Sequence, residues 1–207
     1  MNAAAAKSPP KEGDAPPSSR ERMIEAAISL LRATGLTGAG INQVIAASGA
    51  PKGSMYHHFP GGKLELAGVA LERWGEAVAR RIAADLQGPA PLPRKVRGIF
   101  EGTARTMAKA DYTRSCGIGA VSLDLDEESA ALAPVCARIF ASWHAVLEEA
   151  MHEIPQPRRA MLARFVISSI QGAQVQARAA HDNSCILEAG EMVAAMIAQA
   201  LKEKKNA

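Results

Sequence analysis

The chain has 207 residues, 48% of them hydrophobic and only 4% aromatic, and carries a formal net charge of +3. That apolar content can build one large domain or two smaller ones, while plentiful alanine and scarce aromatics favour helix over sheet. No apolar run has the length a bilayer span needs, and the N-terminus lacks the apolar centre of a secretion signal. Three cysteines, Cys116, Cys136 and Cys185, are odd in number and show no Cys-x-x-Cys spacing, which argues against a disulfide framework and for a reducing cytoplasm.

Residues 1–17 are rich in alanine, proline and charge, cannot bury anything, and are expected to be disordered. Ser18-Ser-Arg-Glu21 opens a first helix as a capping box, with Met23, Ile24, Ala27, Ile28 and Leu31 at helical spacing and Gly35 as its end. Ile41, Val44 and Ile45 mark a short second helix that Gly49 closes, since glycine takes a left-handed backbone at little cost. Pro51 suits the first turn of a third, where its missing N–H is no loss.

A long fourth helix runs from near Lys63 to Leu86, and a fifth from about Pro93 to Ala110. Cys116 to Leu125 reads as a short irregular helix rather than a strand, because no partner strand is in sight. Pro134 opens or kinks a seventh helix, whose stripe is Cys136, Ile139, Phe140, Trp143, Leu147 and Met151. An eighth spans about Arg158 to His181 and a ninth ends near Leu201, before a solvated tail. The expectation is an all-α protein of about nine helices. Its organisation is a disordered extension (1–17), a helix-turn-helix unit (18–66) and an effector-binding and dimerisation domain (67–207).

The third helix is the chemically odd one. Lys52, Gly53, Ser54, Tyr56 and His57 concentrate hydrogen-bonding groups and open backbone there, while Met55 and Phe59 face inward. Helix, glycine turn and short polar helix form a helix-turn-helix, whose second helix enters the major groove of DNA. Lys52 and Ser54 are candidates for base edges, and Tyr56 and His57 for phosphate or a thymine methyl. Asn42 and Gln43 at the start of the second helix, and Lys63 in the first turn of the fourth, are candidates for the DNA backbone.

At these residues the chain resembles the TetR family of bacterial transcriptional regulators. Gly49, Gly53, Tyr56, Phe59 and Lys63 occupy the family's glycine turn, its Gly-x-x-Tyr-x-x-Phe recognition helix and the lysine that opens helix four. The Ala50-Pro-Lys-Gly-Ser-Met-Tyr-His-His-Phe-Pro-Gly-Gly-Lys63 wording is similar to the LmrA/YxaF branch, as are Cys116-Gly-Ile-Gly-Ala-Val and Phe140-Ala-Ser-Trp143. Two departures stand out: Gly40 where relatives carry a capping threonine, and a Pro60-Gly61-Gly62 turn one residue longer than usual.

The resemblance implies a dimeric regulator, most simply a repressor, released from a palindromic double-stranded operator by a small molecule. Phe100, Met107, Cys116, Phe140, Trp143, Phe165 and Gln171 are candidates to line the effector cavity, with no charged residue dictating a ligand. Small residues on helix eight, including Ser169, Gly172 and the adjoining Gln176, and the stripe Val193, Met196 and Ile197 on helix nine are candidates for a homodimer seam. No cofactor motif or dedicated metal site is read. The alternative is a small helical enzyme using Cys116 as a thiol or the His144, Glu148 and His152 face as a metal site, since those three recur every four residues.

Overall fold

A computed structural model describes residues 16–205, so the expected disordered extension lies almost wholly outside the described part. Nine α-helices and one short 3-10 turn, with no strand, make up the described residues. α1 spans Ser19–Gly38, α2 Ile41–Ser48, α3 Ser54–His58, α4 Gly62–Asp85 and α5 Leu92–Lys109. α6 spans Gly117–Leu123, α7 Ala133–Ala150, α8 Arg158–Ala180 and α9 Ser184–Lys205.

Ser18 caps α1 by accepting from the Glu21 N–H at 3.2 Å. The reciprocal half of the box is absent, because the Glu21 carboxylate is taken by Arg73 on α4. Gly35 leaves helical geometry at φ 68°, ψ −167°, and the last turn of α1 follows it. A Cβ on Gly35 would lie 2.3 Å from Asp124 Oδ2, and that carboxylate accepts from the Thr37 N–H at 3.0 Å. Two expected boundaries move. Pro51 stands outside α3, in the turn whose carbonyl accepts from the Ser54 N–H, and α9 continues through Lys205, absorbing most of the tail.

α4 joins the two halves. It packs on α1 and on α7. The α4–α7 crossing is close at Gly75, where a Cβ would meet Ile139 Cγ2 at 2.6 Å. Bare backbone also lets the Trp143 indole N–H donate to the Gly75 carbonyl at 2.9 Å. α5 lies along α9, and there Gly190 makes room for the fully buried Phe100, whose Cβ a Gly190 Cβ would approach to 2.8 Å.

This pairing corrects part of the expected dimer seam. Val193 and Ile197 are buried in the chain's own core, because α5 occupies the stripe that sequence periodicity left without an owner. Two helical stretches, Ala130–Ala150 and Ser184–Glu203, do reach the length and mean hydropathy of a bilayer span, at 1.4 each, against expectation. One side of each helix packs inside the protein, and the other carries Arg138 and Glu149, or Glu188, Glu191 and Gln199.

Candidate nucleic-acid interface and ligand cavity

The outer surface of the helix-turn-helix unit is polar because its apolar residues are used up inside. Met23, Ile24, Leu31, Val44, Met55 and Phe59 are buried together with the first turns of α4. Gly49 takes φ 62° at the C-cap of α2, as a left-handed turn requires. Arg22 on α1 then secures the junction, its Nε donating to the Ser48 carbonyl at 3.0 Å, one of the acceptors that a helix end leaves free. Arg20 stacks over the Phe59 ring at 5.3 Å.

With Met55 and Phe59 turned inward, α3 presents its opposite side. Tyr56 is 63% exposed, and Lys52, Gly53 and His57 are exposed beside it. Ser54 is half-buried, and its hydroxyl donates to the Pro51 carbonyl at 2.6 Å, so it shapes the turn as well as facing outward. His58, unlike His57, is engaged with the Ser19 hydroxyl at 2.6 Å. Asn42 and Gln43 are exposed on α2, and the Gln43 amide oxygen accepts from the Gly40 N–H at 3.0 Å. Gln43 thus satisfies the N–H of Gly40 itself, while no side chain at Gly40 caps the first-turn N–H groups as a threonine would.

Lys63 stands in the first turn of α4, its stem over a cleft lined by Leu31, Val44 and Leu66. The longer turn before it is held by Glu65, which accepts from the Gly61 N–H at 2.7 Å, and by Gly62 at φ 67°, facing the Tyr56 ring.

A cavity of about 330 Å³ lies in the C-terminal half, walled by α4, α5, α7 and α8 and reached by α1, a size within the range of small-molecule pockets. Of the residues expected there, Met107, Cys116, Trp143 and Gln171 line it. Phe100, Phe140 and Phe165 do not. Phe100 is sealed against Gly190, Phe140 packs edge-on to Trp143 at 5.4 Å on its far side, and Phe165 is 45% exposed on the outer face of α8.

Charged residues line the wall, contrary to the reading that none dictates a ligand: Arg32, Arg81, Asp85 and Arg114. Sequence reasoning missed them, and also Trp74 and Gln174, because they come from four elements far apart in the chain. Arg32 stacks over the Trp74 ring at 4.1 Å. Its Nε donates to the Ser115 carbonyl at 3.2 Å, while the Ser115 N–H donates back to the Arg32 carbonyl at 3.0 Å. Burial, helped by the like charge of Arg114, pushes the Arg32 guanidinium below its ordinary value. Burial likewise pushes the Cys116 thiol up, with hydrogen bonds from its neighbours opposing, so the group stays a thiol.

The metal face of the alternative reading is otherwise occupied. Glu148 accepts from Gln156 Nε2 at 3.1 Å, and His152 Nδ1 lies 3.1 Å from the Glu149 carbonyl. No cluster of three His, Cys, Asp or Glu side chains suited to a metal exists among the described residues.

Comparison with known proteins covers both halves. Residues 23–68 match the tetR family of bacterial regulatory proteins, and residues 93–192 match the C-terminal domain of LmrA/YxaF-like transcriptional regulators. The chain is 30% identical over 135 residues to the HTH-type transcriptional regulator LmrA of Bacillus subtilis, covering 65% of this chain and 72% of that one. It is 33% identical over 170 residues to the uncharacterized HTH-type transcriptional regulator Rv0196 of Mycobacterium tuberculosis, covering 79% and 86% respectively. Among solved structures, the TetR family regulator CifR, in a cysteine mutant bound to 26-base-pair operator DNA, shares the fold at TM-score 0.75 and 19% identity, over 88% of this chain and 98% of that one. Family membership takes the place of the enzyme reading, since these proteins are regulators. The chain belongs to the TetR family of bacterial transcriptional regulators, with an LmrA/YxaF-like C-terminal domain.

Proposed function

We propose that this regulator is a cytoplasmic, dimeric repressor that binds a palindromic operator through residues 18–66 and leaves it when a small molecule fills the cavity in residues 67–207. The observation that carries the reading is the exposed row of Lys52, Gly53, Tyr56 and His57 beside a fully buried Met55 and Phe59. That row owes nothing to the fold and is free to meet DNA. Ser54, Asn42, Gln43 and Lys63 accompany it, with Asn42, Gln43 and Lys63 taken as contacts to the DNA backbone.

The partner surface is the exposed side of α8 and α9. Met161, Phe165 and Val175 on α8, and Met192 and Met196 on α9, are large apolar side chains left in the open. Along α8 they recur at helical spacing with Ser169, Gly172 and Gln176 between or beside them. Contiguous apolar patches of this kind mark protein interfaces. A two-fold dimer presents two recognition helices roughly 34–36 Å apart, one turn of DNA.

An effector favours a second arrangement in which that spacing no longer fits. By linkage it binds the DNA-free form better, by the same free energy that it removes from operator binding. α4 is the element to move, because it lines the cavity at one end and carries Lys63 at the other.

The test is a mobility shift with the protein's own upstream DNA across a salt series, with Lys52→Ala and Lys63→Ala alongside. Binding that outlasts excess competitor, weakens as salt rises and fails in Lys52→Ala is the expected result. Equal affinity for operator and competitor, with selection from random DNA yielding no preferred site, would overturn it.

A further inference from the structure

The ligand cavity is electrically lopsided. Arg81 is paired with Asp85, its Nε donating to both carboxylate oxygens at 2.9 and 3.1 Å, so that part of the wall is neutral. Arg32 and Arg114 have no carboxylate within ion-pair distance among the described residues, although Arg32 is half-buried and the two charges feel one another. Two like charges brought together beside a partly enclosed space cost free energy unless an anion joins them.

Gln174 adds a second observation. It is only 8% exposed and lines the same cavity. On the same wall the buried indole Nε1 of Trp74 has no hydrogen-bond partner among the described residues, and buried donors normally find one. One turn further along α8, Arg178 donates to the Ala33 carbonyl at 2.7 Å, which sets Gln174 towards the α1 end, where Arg32 enters. Thr103 and Thr106 also line it, but their hydroxyls donate back to the Ile99 and Gly102 carbonyls of their own helix; besides Gln171, much of the remaining wall is apolar, with Val78, Ile99, Met107, Trp143, Ile167 and Ile170.

Taking the cavity as the effector site, as read above, we propose that its ligand is an apolar organic acid with a single carboxylate. Arg32 and Arg114 hold the carboxylate, Gln174 adds a neutral hydrogen bond, and the hydrocarbon or aromatic body lies along the apolar wall. A cation is repelled by the same pair. With Arg32 and Arg114 sharing one carboxylate, a second would have no cation of its own, since Arg81 is committed to Asp85. Since Arg32 belongs to α1, the acid group touches the DNA-binding unit itself, and selectivity and release share one contact.

Both tryptophans of the chain, Trp74 and Trp143, line the cavity, so intrinsic fluorescence reports its filling. The probes are 2-naphthoate, its neutral isostere 2-naphthamide and the cation 2-naphthylmethylammonium. They are titrated into the full-length protein and into Arg114→Gln and Arg32→Gln, with operator release followed in parallel. The expected result is naphthoate binding about ten-fold or more tighter than the amide, as charge-assisted hydrogen bonds predict. Each variant should erase that advantage, weakening binding of the acid far more than binding of the amide. Arg114 is exposed, so its replacement leaves the fold intact even where Arg32→Gln does not.

Equal binding of acid and amide, preference for the cation, or an acid preference that survives both variants overturns the proposal. If the amide binds and releases DNA in those cases, the effector reading stands without it. Silence from all three probes, in fluorescence and in DNA release, overturns both.

Discussion

The DNA-binding unit and the ligand cavity are built on opposite terms. In the first, the residues that build the fold and those proposed to meet DNA are separated: Phe59 and Met55 are buried among the helices, and Lys52, Tyr56 and His57 are exposed on the other side. In the second, the same residues serve both ends. Trp143 lines the cavity and also ties α7 to α4 through Gly75, and Arg32 lines it while joining α1 to Ser115. The lesson is that the DNA-contacting surface can change at little cost in stability, whereas few cavity residues can change without disturbing how the halves meet.

Four measurements sharpen or break this contrast. The largest effect belongs to Phe59→Ala, which empties a fully buried site and should cost about 3–5 kcal/mol in denaturant unfolding, with DNA binding lost because the unit unfolds. Next comes Gly75→Ala, whose new methyl must displace Ile139. A loss of about 1–3 kcal/mol is expected, together with a changed ligand response, because α4 and α7 are forced apart beside the cavity.

Lys52→Ala, on an exposed turn, should leave stability within about 0.5 kcal/mol while weakening operator binding by about 1–3 kcal/mol. A Lys52 variant that unfolds the protein breaks the contrast outright. The smallest effect is a pH slope. Burial, with Arg164 nearby, holds the His144 imidazole below its ordinary range, and Glu148 opposes. The unfolded chain therefore takes up the proton first as pH falls through the usual histidine value, so this group costs stability on the acid side and is silent above it. Melting curves of His144→Gln against the parent should converge near neutral pH and separate below about pH 6, the parent being the less stable there.

The two regions also differed in how well they could be read. Gly49, Tyr56, Phe59 and Lys63 act within one short stretch, where spacing alone says which way a side chain turns, and the family resemblance rested on the same residues. The nine helices followed from periodicity and from proline and glycine breaks, with errors only where a turn adopts near-helical backbone, at Pro51, or where a charged tail continues a helix, at α9.

The cavity was harder because its wall is assembled across the chain. Periodicity marked Val193 and Ile197 as a stripe needing cover, yet could not tell a second chain from α5, and Gly190 decided the matter by admitting Phe100. Aromatic residues were taken as cavity walls on type, and Phe165 and Phe140 turned elsewhere. Arg32, read as an ordinary position on α1, reaches the cavity only because α6 folds back on α1.

The contact between Gly35 and Asp124 has a mechanical meaning. No side chain fits at Gly35, and the Asp124 carboxylate is fastened to the backbone of Thr37, so the last turn of α1 is pinned to the end of α6. α4 bears on the same unit from another side through Arg73 and Glu21. A body held at two points cannot slide when one of them shifts; it turns about the other. In the proposed effector response Asp124 would serve as a fulcrum and α4 as a lever arm, so that a small displacement beside Trp74 would carry Lys52 and Tyr56 through a longer arc.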